Sequence, residues 1–329
     1  MHDVCIIGAG WSGLAAANDL STAGLDVVVV EKARGPGGRC ATRRQGRFSF
    51  DHGGQYFTAR STAFADQVSD WRSEGLVEPW QPKIKVFGPR PDQAGTAPAD
   101  RFVATPAMNT VLKSLASKLD CRFSCRVSGL QFENGAWRLR PDQSDEVINA
   151  RSLIVTAPPE QSAVLLKKVS GLSSTIASVP MNPCWALMLG FEDDLDCDFD
   201  AAFVNEGPVA WLARNSSKPG RSGESWVIHA SAEWSAQHLE DDSDCVTDAL
   251  LQAFCEKVPA ALENQPSLVQ AHRWRYALAP APLSQDCLTD AGRHLVVAGD
   301  WCAGNRIEGA WFSGRAAAQA VRQWHESSG

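Results

Sequence analysis

The sequence is short of the features that mark several functional classes. No apolar run approaches the ~20 residues that a bilayer-spanning helix needs, so no membrane span is expected. Positive charge is in the minority: 31 Lys and Arg against 38 Asp and Glu give a net charge of -7 and a pI near 5.5. Nucleic acid and acidic membrane surfaces call for a cationic face and are not expected partners. The ten cysteines (5, 40, 121, 125, 184, 197, 245, 255, 287 and 302) include no CxxC pair, and no metal site is expected. No leader is expected either, because Met1-His2-Asp3 runs straight into an apolar strand at Val4. The even cysteine count would permit disulfides in an oxidising compartment; without a leader, the expectation is a cytoplasmic protein with free thiols. One more absence matters below: no lysine occurs between Lys168 and Lys218.

What is present suffices for a large core. With 329 residues, 44% of them hydrophobic, the chain is long enough for two structural units. Val4 to Ile7 reads as a strand, Leu14 to Leu20 as an Ala-rich helix and Leu25 to Val30 as a strand buried on both faces, which together make a βαβ unit. Arg34 to Gly54 lacks periodicity and is expected to be extended loop. A first excursion, about Phe57 to Ala104, holds one helix (63–74) and a Pro/Gly/Asp-rich connection from Gly88 to Asp100. Helical spacing returns from Met108 to Leu119. Strands are expected over 121–127, 129–132 and 137–140, with Asn134-Gly135 as a hairpin turn, and over 153–156. A second excursion follows, with strands at 186–191 and 226–232 and an amphipathic helix over 244–257. The chain closes with a strand at 294–298 and a small-residue helix at 309–324.

Gly8-Ala9-Gly10-Trp11-Ser12-Gly13 follows the first strand and opens the helix, and Glu31 ends the second strand. Each part has a mechanical task in dinucleotide binding. Gly8 makes the turn, Gly10 admits pyrophosphate to the backbone, Gly13 lets helix and strand pack, and Glu31 reaches a ribose hydroxyl. The helix N-terminus favours the negative charge. NAD and FAD would both be served by this unit. A local basic patch follows: Lys32, Arg34, Arg39, Arg43, Arg44 and Arg47 lie within sixteen residues that contain no Asp or Glu, which suits an anionic small molecule.

Arg34-Gly35-Pro36-Gly37-Gly38-Arg39 resembles the glycine-arginine loop of the flavin-dependent amine oxidase superfamily, and Gly299-Asp300 with Glu308 to Gly314 resembles its closing motif. The resemblance implies FAD, bound without a covalent link. It implies a Rossmann-like, p-hydroxybenzoate hydroxylase-like cofactor domain (1–57, 105–159 and 275–329) and an inserted α+β substrate domain with an antiparallel sheet (58–104 and 160–274). By the same resemblance Arg39 approaches the pyrophosphate, Asp300 the ribityl chain and Val127 the adenine. Gly309 and Ala310 would present amides to the flavin, and Ser12, Lys32, Gly38, Gly54 and Gln55 complete the cofactor set.

Within that superfamily the chain resembles the renalases, through Asp51 to Thr58, His272 to Tyr276 and Gly299-Asp300. This implies oxidation of the 2-dihydro and 6-dihydro isomers of NAD(P)H, with O2 as electron acceptor and hydrogen peroxide as product. The superfamily's amine oxidases place a lysine on a strand corresponding to about 183–191, and this sequence has none there. An amine or amino-acid oxidase and a non-catalytic flavin-binding regulator are the competing readings. A dihydronicotinamide expels hydride without a general base, so the expected substrate site consists of aromatic walls and polar anchors, with no catalytic acid-base pair. The candidates are Tyr56, Arg60, Asn182, Trp185, Trp211, His229, Trp234, Trp274, Tyr276 and Arg306, the two arginines for phosphate or ribose. Each tryptophan taken alone is more often a core residue than a pocket wall, and His229 and His52 are open to structural roles.

Overall fold

The computed structural model describes residues 1–89, 100–142 and 146–327. Most of the 88–100 connection lies outside these. The chain forms two compact units, the first of Met1–Gly38, Leu112–Met181 and Leu278–Gly329, the second of Arg39–Val111 and Asn182–Ala277. Residues 39–57, 105–111 and 275–277, expected with the cofactor domain, thus group with the second unit. Residues 160–181, expected with the substrate domain, group with the first.

The first unit is built on a parallel sheet, ordered Leu295–Val297, Ile148–Val155, His2–Ile7, Val27–Val30 and Asp120–Arg122, with Leu288–Asp290 antiparallel at one edge. Val27–Val30 is four valines, all buried, as a strand covered on both faces requires. Ile148–Val155 changes character midway. Its first half alternates buried and exposed where it pairs with the antiparallel strand Ala136–Pro141, and its second half is buried throughout between parallel neighbours. Asn134 and Gly135, at φ 54° and 73°, make the expected hairpin turn to Val127–Glu133. The strand expected over 121–127 is instead two. Ser124 adopts φ 54° and breaks the extended run, so that Val127 opens a strand with a different partner.

The helix Ile307–Glu326 packs along Trp11–Thr22. Gly314 permits the approach, since a methyl there would collide with the Ser12 carbonyl, and the Ser12 hydroxyl donates to the Ala310 carbonyl at 2.8 Å.

The second unit holds a six-stranded sheet, ordered Leu268–Leu278, Asn182–Gly190, Ser225–Ala230, Val209–Arg214, Ala201–Val204 and Ile84–Phe87. The two faces differ as strand alternation dictates. Trp185, Leu187, Leu189, Leu212, Trp226 and Ile228 join Val246, Leu250 and Phe254 of the helix Ser243–Lys257 in one buried cluster. Each such side chain stabilises the unit by roughly 1.5–3 kcal/mol. Met188 and Val227, of opposite parity, meet Phe48 and Phe50. Those phenylalanines belong to a hairpin, Thr42–Gln45 and Phe48–Asp51, which corrects the expected extended loop. Burial of both rings holds it down, and Gly190 makes room, because a Cβ there would lie 2.7 Å from the Phe48 ring. The strand expected over 226–232 ends at Ala230, where Ser231 caps the helix Ala232–Gln237 by accepting from the Trp234 amide. Met108–Leu119 is helical only over Thr110–Ala116.

No helix among the described residues is long and apolar enough to cross a membrane. The ten cysteines form no disulfide.

Candidate active site

In the first unit, the turn after the first strand is fixed by contacts that only glycine permits. Gly8 sits at φ 110°, and a methyl at Gly13 would collide with the Gly8 carbonyl oxygen, so helix and turn are locked together. Gly10 is different: a Cβ there would meet nothing within 4 Å among the described residues. Gly10 is also the N-cap of Trp11–Thr22, which has no side-chain cap and no acid in its first turn. Its N-terminal amides therefore suit an anion. Glu31, buried, accepts from the Ala9 amide through Oε2 and from the Ala33 amide through Oε1, both at 2.8 Å. This braces the glycine turn against the end of the second strand and leaves each oxygen a further lone pair. Lys32 is exposed and donates to Gln161 at 2.9 Å. Asp300 is buried at the start of the turn Asp300–Ala303, and Gly309 packs so closely on Gly304 that a side chain is excluded.

In the second unit the segment 51–57 leaves the hairpin through a buried polar cluster. Asp51 accepts from Arg221 Nε and Nη2 at 3.1 and 2.7 Å, from the Thr42 hydroxyl at 2.7 Å and from the Met108 amide at 3.1 Å. Burial works to raise the Asp51 pKa, but Lys218, Arg221 and these hydrogen bonds overcome it and hold the group below the usual carboxylate range. Lys218 lies inside the same cluster, donating to Gln55 Oε1 at 3.2 Å and Asn215 Oδ1 at 3.0 Å. Burial pushes its ammonium down to about 8, against the pull of Asp51. Gln55 in turn donates to the carbonyls of Asp51 and Gly53.

Beyond the cluster, the His52 ring stacks on Trp274 at 5.0 Å and meets His272 edge-on at 4.8 Å. The His52 carbonyl accepts from Trp274 Nε1 at 3.0 Å and lies 3.1 Å from His229 Nε2. Burial lowers all three imidazoles. His52 falls to about 3 with help from His272 and Arg43, His272 to about 4 with help from Arg43, and His229 to about 4 with help from Lys218. Tyr56 lies 5.8 Å from Trp211 and 6.0 Å from Trp80, with the Arg101 guanidinium 5.2 Å over its ring. The Arg39 backbone is packed under this segment: its carbonyl accepts from Gly54 at 2.8 Å, and its guanidinium donates to the Ala277 carbonyl at 3.0 Å.

Residues 6–70 match the NAD(P)-binding Rossmann-like domain, and residues 84–322, well over half of the chain, match the family described as flavin containing amine oxidoreductase. The chain belongs to that flavin-containing amine oxidoreductase family. It is similar in structure to a putative protoporphyrinogen oxidase from Exiguobacterium sp. 255-15, at TM-score 0.77 and 13% identity over 98% of this chain and 99% of that one. Cyclohexylamine oxidase from Brevibacterium oxydans IH-35A gives TM-score 0.77 and 15% identity over 99% of both chains. At such identities the likeness speaks for the fold alone. A zeta-carotene-forming phytoene desaturase of Myxococcus xanthus is 48% identical over 50 residues, which make up 15% of this chain and a tenth (10%) of that protein.

The cofactor of this oxidoreductase is FAD, and the expected α/β fold with a Rossmann-like domain is borne out. The first unit fits the group: the open space at Gly10, the uncapped helix start and the remaining lone pairs of Glu31 match a pyrophosphate and a ribose. The Ser12 hydroxyl is committed to the Ala310 carbonyl. The Ala310 amide already bonds the Arg306 carbonyl at 2.9 Å, so of that pair Gly309 alone lies among the first three helical positions. Gly8, Gly10, Ser12, Gly13, Glu31, Lys32, Gly38, Val127, Asp300, Gly309 and Ala310 fall in the first unit, and Arg39, Gly54 and Gln55 in the second.

Of the substrate candidates, the second unit brings together Tyr56 with Trp211 and His229 with Trp274 by way of the His52 carbonyl. It does not bring Trp185 or Trp234 to them. Trp185 is buried in the helix-facing core with Nε1 on the His238 carbonyl at 3.0 Å. Trp234 packs against the same core and stacks on His238 at 4.1 Å. Strand parity for Trp185, and the helix begun by Ser231 for Trp234, account for both placements. Asn182 and Tyr276 are half-buried, and Arg60 and Arg306 are exposed. Lys218 and Arg221, both buried, were not singled out from the sequence. An isolated basic residue in a polar loop has the pattern of solvated surface, and burial alone distinguishes it.

Proposed function

We propose that this oxidoreductase is renalase-like, oxidising the 2-dihydro and 6-dihydro isomers of NAD(P)H to NAD(P)+. The observation that carries the reading is the group of three neutral imidazoles, His52, His229 and His272, with the Trp274 indole stacked on His52, in the second unit. Bound FAD supplies the hydride acceptor and, with O2, the route to hydrogen peroxide. The ring nitrogen of a dihydronicotinamide drives hydride departure, so the protein needs to orient the ring and exclude water, with no base to remove a proton. Flat aromatic walls and uncharged polar groups meet that need. Trp274 and His229 fix the His52 carbonyl and so hold the 52–54 turn in place. The exposed guanidinium groups of Arg60 and Arg306 are assigned to substrate phosphate or ribose.

The amine oxidase reading draws on one observation, the buried Lys218, which lies outside the 183–191 stretch. Its ammonium is held by Gln55 Oε1, Asn215 Oδ1 and the Asp51 carboxylate, which favours a structural role over proton transfer. One experiment separates the two. Anaerobic mixing of the FAD-loaded protein with 2-dihydro- and 6-dihydro-NAD(P) should bleach the flavin, and primary amines should not. No bleaching by either isomer overturns the proposal.

A further inference from the structure

We propose that Lys218 is a positioning residue for the turn that carries His52, acting through the side-chain amides of Gln55 and Asn215. Its consequence for catalysis rests on the dihydronicotinamide reading above.

The Lys218 side chain is fully buried. An ammonium can only donate, so an amide that meets it must turn its oxygen inward. Two do so, Gln55 through Oε1 at 3.2 Å and Asn215 through Oδ1 at 3.0 Å. Their nitrogens are thereby aimed the other way, and both find backbone carbonyls of one short segment. Asn215 Nδ2 donates to the Ser49 carbonyl at 2.8 Å, and Gln55 Nε2 donates to the carbonyls of Asp51 and Gly53. Asn215 Oδ1 also accepts from the Asp51 amide at 3.4 Å. Residues 49, 51 and 53 are thus pinned by two amides whose polarity a single buried cation sets.

His52 lies between the last two of these anchors. Its own carbonyl accepts from Trp274 Nε1 at 3.0 Å, so the backbone is held at three successive residues. Rotating the Gln55 amide would set its oxygen against two carbonyl oxygens and release the turn. The donor-only character of Lys218 prevents this. A neutral amine carries a lone pair and accepts as well as donates, so loss of the proton removes the constraint. The charged and titratable groups around Lys218 are Asp51 at 3.7 Å, Arg221 of the same loop and His229 of the strand Ser225–Ala230. Trp80 adds only its ring, 5.5 Å from Nζ. Burial outweighs the pull of Asp51 and brings the ammonium down to about 8, within reach of an ordinary titration.

The His52 imidazole reports the turn without turnover. It stacks on Trp274 at 5.0 Å, within the indole ring current, and at about 3 its own pKa keeps it neutral throughout the alkaline range. His229 and His272, at about 4, are silent there too. In FAD-loaded protein carrying isotope-labelled histidine, the His52 Hε1 resonance is identified by its loss in His52→Gln. It should move in one step with a midpoint of about 8. Lys218→Met and Gln55→Leu should each abolish the step. No step in the unsubstituted protein, an outcome that needs no variant to fold, overturns the proposal, and so does a step that survives either substitution.

At neutral pH the same two substitutions should each lower the limiting rate of anaerobic flavin reduction by about tenfold, with substrate Kd unchanged. The double variant should lose no more than either single one, and additive losses overturn the relay. A step in the His52 signal with no bleaching by either dihydronicotinamide isomer sinks the functional reading alone. Bleaching without the step sinks the positioning role alone.

Discussion

Lys218 Nζ lies 3.7 Å from the Asp51 carboxylate, with both side chains fully buried, and Arg221 grips the same oxygen at 2.7 Å. Two cations thus share one anion away from water. Such a group is held together by its hydrogen bonds, and losing its one anion leaves two charges uncompensated. Asp51→Ala should cost about 3–5 kcal/mol in urea unfolding, whereas Lys218→Met, which leaves the Asp51–Arg221 pair intact, should cost clearly less. The reverse order would show that Arg221 does not neutralise Asp51.

Two glycines of the dinucleotide turn should respond differently to the same substitution. Gly13→Ala drives a methyl into the Gly8 carbonyl and should destabilise the fold by about 1–3 kcal/mol. Gly10→Ala meets open space at an ordinary φ of -89°, so the apoprotein should unfold within about 1 kcal/mol of the parent. Its FAD retention should nevertheless fall by about tenfold or more, because the methyl occupies the approach to the pyrophosphate. Comparing thermal unfolding of the apoprotein with flavin content after gel filtration decides between the two kinds of loss. Normal FAD retention in Gly10→Ala would displace the pyrophosphate from this turn.

The three imidazoles set an acid limit to stability. Their pKa values are lower in the folded protein than the usual 6.5, at about 4 for His229 and His272 and about 3 for His52. Below pH 6.5 the unfolded chain takes up protons at these rings and the folded chain does not, so stability falls with pH until the folded rings protonate as well. Each contributes a slope of up to roughly 1.4 kcal/mol per pH unit. Unfolding midpoints between pH 7 and 4 should follow this slope, and His272→Gln should flatten it. An unchanged slope in that variant would mean that His272 titrates in the fold as it does in water.

The arginines should divide by role. Arg39→Ala removes a guanidinium tied to the Ala277 carbonyl and assigned to the pyrophosphate, and should release FAD. Arg60→Ala and Arg306→Ala, both at exposed positions, should raise KM by about tenfold with kcat and flavin content unchanged. Equal FAD loss in all three would remove the distinction between cofactor and substrate arginines.

Much of the first unit was legible because its local rules agree with one another. The glycine spacing, the four valines and the Asn134-Gly135 turn each admit few conformations, and the sheet satisfies them all. The second unit was less legible for reasons of distance. Whether Trp185 and Trp211 face core or pocket depends on strand parity, which one unseen strand boundary reverses. The hairpin over 42–51 was hidden because its signal is two phenylalanines whose partners, Met188 and Val227, lie more than 130 positions away. The burial of Lys218 likewise depends on Asp51 and Gln55, far upstream in sequence.

The bond from Ser12 to Ala310 joins positions 298 apart. The helix that packs on the dinucleotide turn is therefore made 298 residues after the serine it holds. The glycine turn, the uncapped helix start and Glu31 must wait, with apolar surface exposed, until that helix has been synthesised. Stable FAD loading is on this account a late event, and cells short of riboflavin should accumulate a form in which the turn and this helix are loosely docked and readily cut by proteases.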